Sequence, residues 1–196
     1  MLSVMTEVKI IPQAKEYNKG EIIIGGSDIL RRINEMADDL AEQYQGKNVL
    51  LIGLLNGAFM VTSDLGQALW NKGICDSEVD FMAVSSYGND SESRGELNIH
   101  KGLKNSPADR HVLLIDDVFD SGLTLAGIHE RIAREAASVK SFVLVSKDNP
   151  NRKIKYKPDY IAFSTPNIWL EGHGMDSGEH GRLNPNIIIG KDYIFI

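Results

Sequence analysis

Residues 111–124 read HVLLIDDVFDSGLT. Val112, Leu113, Leu114 and Ile115 form an apolar run with no polar alternation, which fits a strand of a parallel sheet covered on both faces. The run ends on Asp116 and Asp117. Two adjacent carboxylates at a strand's carboxyl end are costly to bury unless a cation or hydrogen-bond donors meet them. Asp120, Ser121, Gly122 and Thr124 follow where a helix would begin. Free N–H groups and the helix dipole make such a place a cradle for a phosphate, and a glycine there lets the backbone come close. One strand-turn-helix thus offers acids for hydroxyls or a metal and, a few residues later, a nest for a phosphate. That combination suits a phosphorylated sugar. The same residues could instead serve only as an N-cap and a solvated acid pair.

Outward from this segment, the apolar pattern alternates between strand and helix. Residues 4–11 and 21–24 are short candidate edge strands. Ser27 can cap a helix over 27–44, with Ile29, Leu30, Ile33, Met36, Ala37 and Leu40 on one stripe and Gly46 ending it. Residues 48–55 (NVLLIGLL) are a second uninterrupted apolar run. A helix over 59–70, a strand over 79–84, a helix over 121–137, and strands over 141–145 and 160–163 follow. This is the rhythm of an α/β protein with a mostly parallel sheet flanked by helices, in which ligands bind beyond the carboxyl ends of the strands. Two stretches break the rhythm. Residues 88–109 lack apolar periodicity and read as a long irregular loop of the kind that forms lids. Residues 164–191, rich in glycine, proline and aromatic residues, read as a small cap built from turns.

Composition narrows the function. The chain has 196 residues, enough for one domain with a real core, and 42% of them are hydrophobic, as in ordinary globular proteins. One cysteine makes an internal disulfide impossible. The 27 acidic residues outnumber 21 lysines and arginines, which counts against a general nucleic-acid surface. No apolar run approaches the roughly 20 residues of a membrane span, and the N-terminus has no signal-peptide core, so a soluble cytoplasmic protein is expected. No G-x-G-x-x-G follows the first core strand and no Walker lysine is present, which disfavours a dinucleotide or P-loop enzyme.

Residues 112–124 resemble the phosphoribosyl-diphosphate (PRPP) motif of type I phosphoribosyltransferases. Other segments narrow the resemblance to the hypoxanthine-guanine phosphoribosyltransferases. Residues 54–59 (LLNGAF) are similar to their diphosphate loop, and 86–90 (SYGND) to the start of their mobile catalytic lid. Lys157-Pro158-Asp159-Tyr160 followed by Pro166, Trp169, Leu170, Gly172, Gly174, Met175, Asp176 and Arg182 resembles their purine-binding hood. The resemblance runs in order over about 22–189. It implies the type I phosphoribosyltransferase fold, with a PRPP-binding core over 1–163, a lid near 86–109, and a C-terminal hood over 164–196.

It also implies roles. Asp116 and Asp117 match the acids that hold the ribose hydroxyls and one Mg²⁺. Asp120 matches the candidate general base near the purine N7, and Ser121, Gly122, Leu123 and Thr124 match the 5′-phosphate loop. Leu55, Asn56, Gly57 and Arg182 match diphosphate-binding positions, and Asp176 matches the carboxylate of a second Mg²⁺. Ser86 and Tyr87 match the lid that closes over the reaction. Lys147 matches the lysine that recognises the exocyclic oxygen of the base; an ammonium, with donors only, suits O6 of hypoxanthine or guanine and not the amino group of adenine. Trp169 matches an aromatic that stacks on the purine, and Leu170 offers backbone groups to its edge. The chain departs from the family pattern at Asn56, where a lysine is common, and in the 177–181 stretch, which lacks the usual aromatics. Glu171, His173 and His180 are not obvious family residues; the histidines are expected at the surface or tuning the substrate, and His111 and His129 to be structural.

The implied activity is transfer of 5-phosphoribosyl from PRPP to a 6-oxopurine in purine salvage, dependent on Mg²⁺, by a homodimer or homotetramer. Two alternatives stay open: an enzyme preferring xanthine or another base, and a PRPP-sensing regulator without catalysis.

Overall fold

The structure, a computed structural model, describes residues 7–14, 16–86, 97–152 and 154–194. Strands β1 (Lys9–Ile10), β2 (Glu16–Tyr17) and β3 (Ile22–Ile24) precede helix α1 (Gly26–Tyr44). Then come β4 (Val49–Leu55), α2 (Phe59–Asn71), β5 (Glu78–Ser86), β6 (Leu97–Lys101), β7 (His111–Phe119), α3 (Leu123–Ile132), β8 (Ser138–Asp148) and β9 (Tyr160–Pro166). Strands β10 (Leu170–Glu171), β11 (Ile187–Ile189) and β12 (Tyr193–Ile194) close the order.

The uninterrupted apolar runs have the expected cause. Leu51, Leu113 and Ile115 face one core with α1 and α2, while Leu50, Ile52, Val112 and Leu114 face a second core with α3. Both faces of β4 and β7 are covered, so neither strand can alternate. A fully buried leucine contributes about 1.5–3 kcal/mol, and these strands carry several. The sheet order is β1-β9-β8-β7-β4-β5-β6, parallel except for the antiparallel pair β5–β6. From β4 the chain moves to β5 on one side; from β7 it moves through β8 to β9 on the other. The reversal lies between β4 and β7. Beyond their carboxyl ends is the crevice where open α/β sheets take ligands.

A second, three-stranded sheet has the order β10-β11-β3 and is antiparallel. Its third strand comes from the start of the chain, and the ribbon β12–β2 brings the last described strand back to that start as well. Helix α1 is tied into the same region, because its Gly26 N–H donates to Asn186 Oδ1 at 2.9 Å.

Several boundaries differ from the sequence expectation. Helix α1 is capped by the extended Gly25 and receives no side-chain cap, so Ser27 lies inside it. Leu30 is 48% exposed and leaves the buried stripe, while Arg32 enters it at 1% exposed. The Arg32 guanidinium is satisfied by the carbonyls of Ala162 and Glu7 and by Glu35, which is why a charge can lie there. Helix α3 stops at Ile132, five residues before the expected end at 137. The alanines that follow favour helix, but the chain must turn into β8, and Ala137 N–H bonds Arg110 O instead. Strand β6 occupies part of the stretch read as irregular, paired to β5 through Ala83, Val84, Ser85 and Ser86. Of the strand expected over 4–11, residues 4–6 lie outside the described residues and the remainder is strand only at β1, while the strand expected over 141–145 grows into β8. No helix among the described residues is long and apolar enough to cross a membrane.

Candidate active site

Strand β7 continues four residues past Ile115, so Asp116 and Asp117 lie within it and not after it. Asp116 still pairs with Val143 of β8. Both acids are half-buried. Burial, and then the charge of Asp117, push the Asp116 carboxyl well above the ordinary carboxylate range. Burial raises Asp117 as well, opposed by its hydrogen bond with Asp116 and by the charge of Arg182. A pair so reluctant to ionise is a place where a cation would be welcome. Among the described residues no three His, Cys, Asp or Glu side chains converge as a metal cluster. The pair therefore fits a hard cation that completes its shell with substrate oxygens and water.

The turn after β7 is built by Gly122, which caps α3 with φ of 80°. Leu123, 44% exposed, opens the helix, and Leu123 N–H reaches Ser121 Oγ at 3.4 Å. Ser121 is exposed and Thr124 half-buried, so the first turn of α3 faces the crevice with backbone N–H groups and hydroxyls.

Asp120 is held at both oxygens. Lys147 Nζ donates to Oδ2 at 3.1 Å and Asn149 Nδ2 to Oδ1 at 2.6 Å. Lys147 is 8% exposed at the end of β8. Arg152 is half-buried. Its Nε donates to Asp120 O at 2.9 Å, its Nη2 to Phe119 O at 3.3 Å and to Lys147 O, and its guanidinium lies 4.3 Å from the centre of the Phe119 ring. Sequence reasoning missed Asn149 and Arg152 as site residues. The visible signal was the length and charge of 148–155, from which Arg152 folds back onto the turn after β7.

The loop after β4 contains a cis peptide between Leu55 and Asn56. Gly57 lies directly against the acids: a Cβ there would stand 2.0 Å from Asp117 Oδ2. On the other side the 172–174 turn presses on the loop, since a Cβ on Gly174 would stand 1.8 Å from Gly57 O. Arg182 Nη1 donates to Gly174 O at 3.0 Å, and Nη2 pairs with Asp176 Oδ1 at 2.9 Å and Glu179 Oε2 at 3.2 Å. Acid strand, loop, turn and arginine are therefore stacked in contact. Asp176 also accepts from Glu179 N–H at 2.9 Å.

At the other end of the crevice, Trp169 is 44% exposed although it follows a buried Ile168, and Leu170 is 4% exposed in β10. Lys147 Nζ stands 5.9 Å from the Trp169 ring centre and Lys191 Nζ 5.3 Å. A flat ring laid on this indole would have Lys147 and Asp120 beside it. Ser86 is the last residue of β5, and Tyr87 lies outside the described residues. His173, expected at the surface or tuning the substrate, is 2% exposed and so does not lie at the surface. His180 is exposed in a turn, and His111 accepts or donates to Ser138 Oγ at 2.7 Å as a structural residue.

The phosphoribosyl transferase domain model matches residues 24–177. The hypoxanthine-guanine phosphoribosyltransferase of Aquifex aeolicus is 33% identical over 175 residues, covering 89% of this chain and 96% of that protein. The chain belongs to the hypoxanthine-guanine phosphoribosyltransferase family. The Bacillus subtilis member is 35% identical, with 89% and 95% coverage. Among solved structures, the Staphylococcus aureus hypoxanthine phosphoribosyltransferase superposes with a TM-score of 0.79 at 32% identity, covering 88% of this chain and 91% of that one. The Trypanosoma cruzi hypoxanthine phosphoribosyltransferase in complex with the product IMP superposes with a TM-score of 0.81 at 30% identity, covering 92% and 98%. The fold is thus that of the type I phosphoribosyltransferases and the chain is a phosphoribosyltransferase, from a family that uses a divalent metal.

Proposed function

We propose that this chain transfers 5-phosphoribosyl from PRPP to N9 of a 6-oxopurine, hypoxanthine or guanine, releasing diphosphate. The observation that carries the reading is the crevice between β4 and β7. It has an acid pair and a phosphate turn on one strand, and at its far end an ion-paired lysine beside an exposed tryptophan.

In this reading the 5′-phosphate sits on the N–H groups and hydroxyls of Ser121, Gly122, Leu123 and Thr124. Asp116 and Asp117 accept from the ribose hydroxyls and hold Mg²⁺, and Asp176 serves a second Mg²⁺. Bound there, the metal offsets the charge of the departing diphosphate. Backbone groups of Leu55, Asn56 and Gly57, with the Arg182 fork, receive that group on the protein side. The purine stacks on Trp169 with its edge against Leu170. Lys147 turns from Asp120 to the exocyclic oxygen, which frees Asp120 Oδ2 to take the purine proton as the C1′–O bond breaks and the C1′–N9 bond forms. Ser86 and Tyr87 cover the site and keep water from PRPP. The core over 1–163 would supply the phosphate half and the hood over 164–196 the base half. We place the reaction in the cytoplasm and the protein in a homodimer or homotetramer.

Incubation with PRPP, Mg²⁺ and one base at a time, with diphosphate release as readout, tests this. Turnover with hypoxanthine or guanine and not adenine is expected. Tight PRPP binding without turnover on any base would make the chain a sensor. The two ammonium groups around Trp169 favour one further acceptor, xanthine, whose extra oxygen and readier ionisation suit a second cation.

A further inference from the structure

His173 has no part in the reaction above, and its surroundings are unusual for a turn residue. It is 2% exposed, yet its φ is 47°, left-handed backbone that few residues other than glycine adopt. Gly172 and Gly174 on either side have φ of 100° and 102°. Three successive left-handed residues persist only where their surroundings hold them. Two contacts hold the imidazole. Nδ1 lies 3.3 Å from Pro185 O within the same turn region. Nε2 lies 3.1 Å from Asp64 Oδ2, close in distance but not aligned as a hydrogen bond. Asp64 belongs to α2, the helix that begins two residues after Gly57.

The position of His173 sets what lies next to it. Its N–H donates to Asn184 O at 2.7 Å, and Gly174 N–H donates to Arg182 O at 2.8 Å. Arg182 Nη1 returns to Gly174 O, and Gly174 rests on the Gly57 carbonyl. The diphosphate loop and the 172–174 turn are therefore fastened twice, directly at Gly57–Gly174 and through α2 at Asp64–His173.

We propose that His173, through Asp64, is a positioning residue for the diphosphate end of the site, fixing the distance between the Asn56–Gly57 loop and Arg182. The inference rests on the phosphoribosyl-transfer reading and extends it to residues that touch no substrate. In this chain, with Asn56 and no lysine in the loop, diphosphate binding depends on that spacing.

The test uses His173→Phe, which keeps bulk and removes both ring nitrogens, Asp64→Asn, and the double variant. The KM for PRPP and the inhibition constant of diphosphate are expected to rise about fivefold or more in each single variant. The KM for the base should stay within about twofold, and the double variant should be no worse than the poorer single one. A general loosening of the fold would move the base and PRPP constants together; that result, or no change in either, overturns the proposal. Should His173→Phe not fold, Asp64→Asn alone carries the comparison. If the chain turns over no base, calorimetric binding of PRPP and diphosphate with Mg²⁺ reads the same selectivity. The transfer reading then fails while the positioning role is still measured, and absence of both affinities in the unsubstituted chain overturns both.

Discussion

Asp120 stands with both carboxylate oxygens engaged, one by Lys147 and one by Asn149. A general base must have a free oxygen when the proton arrives, and a lysine that can move to the substrate oxygen releases Oδ2 at that moment. Asp120→Asn is expected to lower kcat by about 10²–10⁴ while PRPP affinity changes by less than about threefold. Unaltered kcat in single-turnover measurements would remove Asp120 from that role. Lys147→Ala should raise the KM for the base about tenfold or more, the scale of one hydrogen bond to a charged donor, and leave PRPP binding in place. Equal losses for base and PRPP would instead mean that Lys147 supports the turn as a whole.

Asp80 shows how a residue far from the chemistry is read by the same physics. Burial alone would raise its carboxyl, but the N–H groups of Asn105, Phe81 and Lys104 and the Lys101 ammonium outweigh that, and its pKa is lowered. Its folded value lies below its unfolded value near 3.9. The stability it contributes is present above the unfolded value and disappears as pH falls through the folded one. Asp80→Ala removes the charged acceptor of the Lys104 and Asn105 N–H groups and should cost about 1–3 kcal/mol at neutral pH. Chemical denaturation across the acid range should show the wild-type advantage shrinking as pH falls below the ordinary carboxylate range.

Among the elements, the 172–174 turn and the loop after β4 are in close contact. Gly174→Ala combines a strained φ with a Cβ on the Gly57 carbonyl, so the turn must lift. Its expected outcome is a large rise in the KM for PRPP, with the thermal midpoint reduced. Retention of both would show that the turn has room the structure does not display. Arg152 works at the same scale, since one guanidinium ties the end of β8 to the end of β7. In the sequence Arg152 stands among Lys147, Lys153, Lys155 and Lys157, and nothing in linear spacing says which cation folds inward. The run at 112–115, by contrast, was legible as a covered strand, because burial on both faces removes every polar position and leaves a direct trace. Helix α3 was read too long for the opposite reason: Ala133, Ala136 and Ala137 have helix propensity, but only Ala133 and Ala136 keep helix-like bonds, to His129 O and Ile132 O, while Ala137 N–H turns to Arg110 O as the chain enters β8.

At the scale of the whole molecule, strand order decides where the chemistry is. Acids from β7, the loop after β4 and the lysine from β8 converge only because β4 and β7 are neighbours at the reversal of the sheet. Away from this crevice, Trp70 is 59% exposed and Val79 48%, and with Gly66 and Phe81 they line a shallow apolar depression. That patch supports the proposed association of subunits. Trp70→Glu should shift the mass measured by light scattering toward the monomer, and an unchanged mass would place the interface elsewhere.

The sequence by itself determined the apolar strands and the acid pair with the turn that follows it, because each depends on residues adjacent in the chain. Only the tertiary structure decided that Lys147 is buried against Asp120, that Arg152 and Asn149 fasten the same turn, and that His173 is buried beside Asp64. Those contacts join residues 27 to 109 positions apart. They are set by strand order and by which backbone segments can approach within van der Waals distance, and neither is written in local pattern.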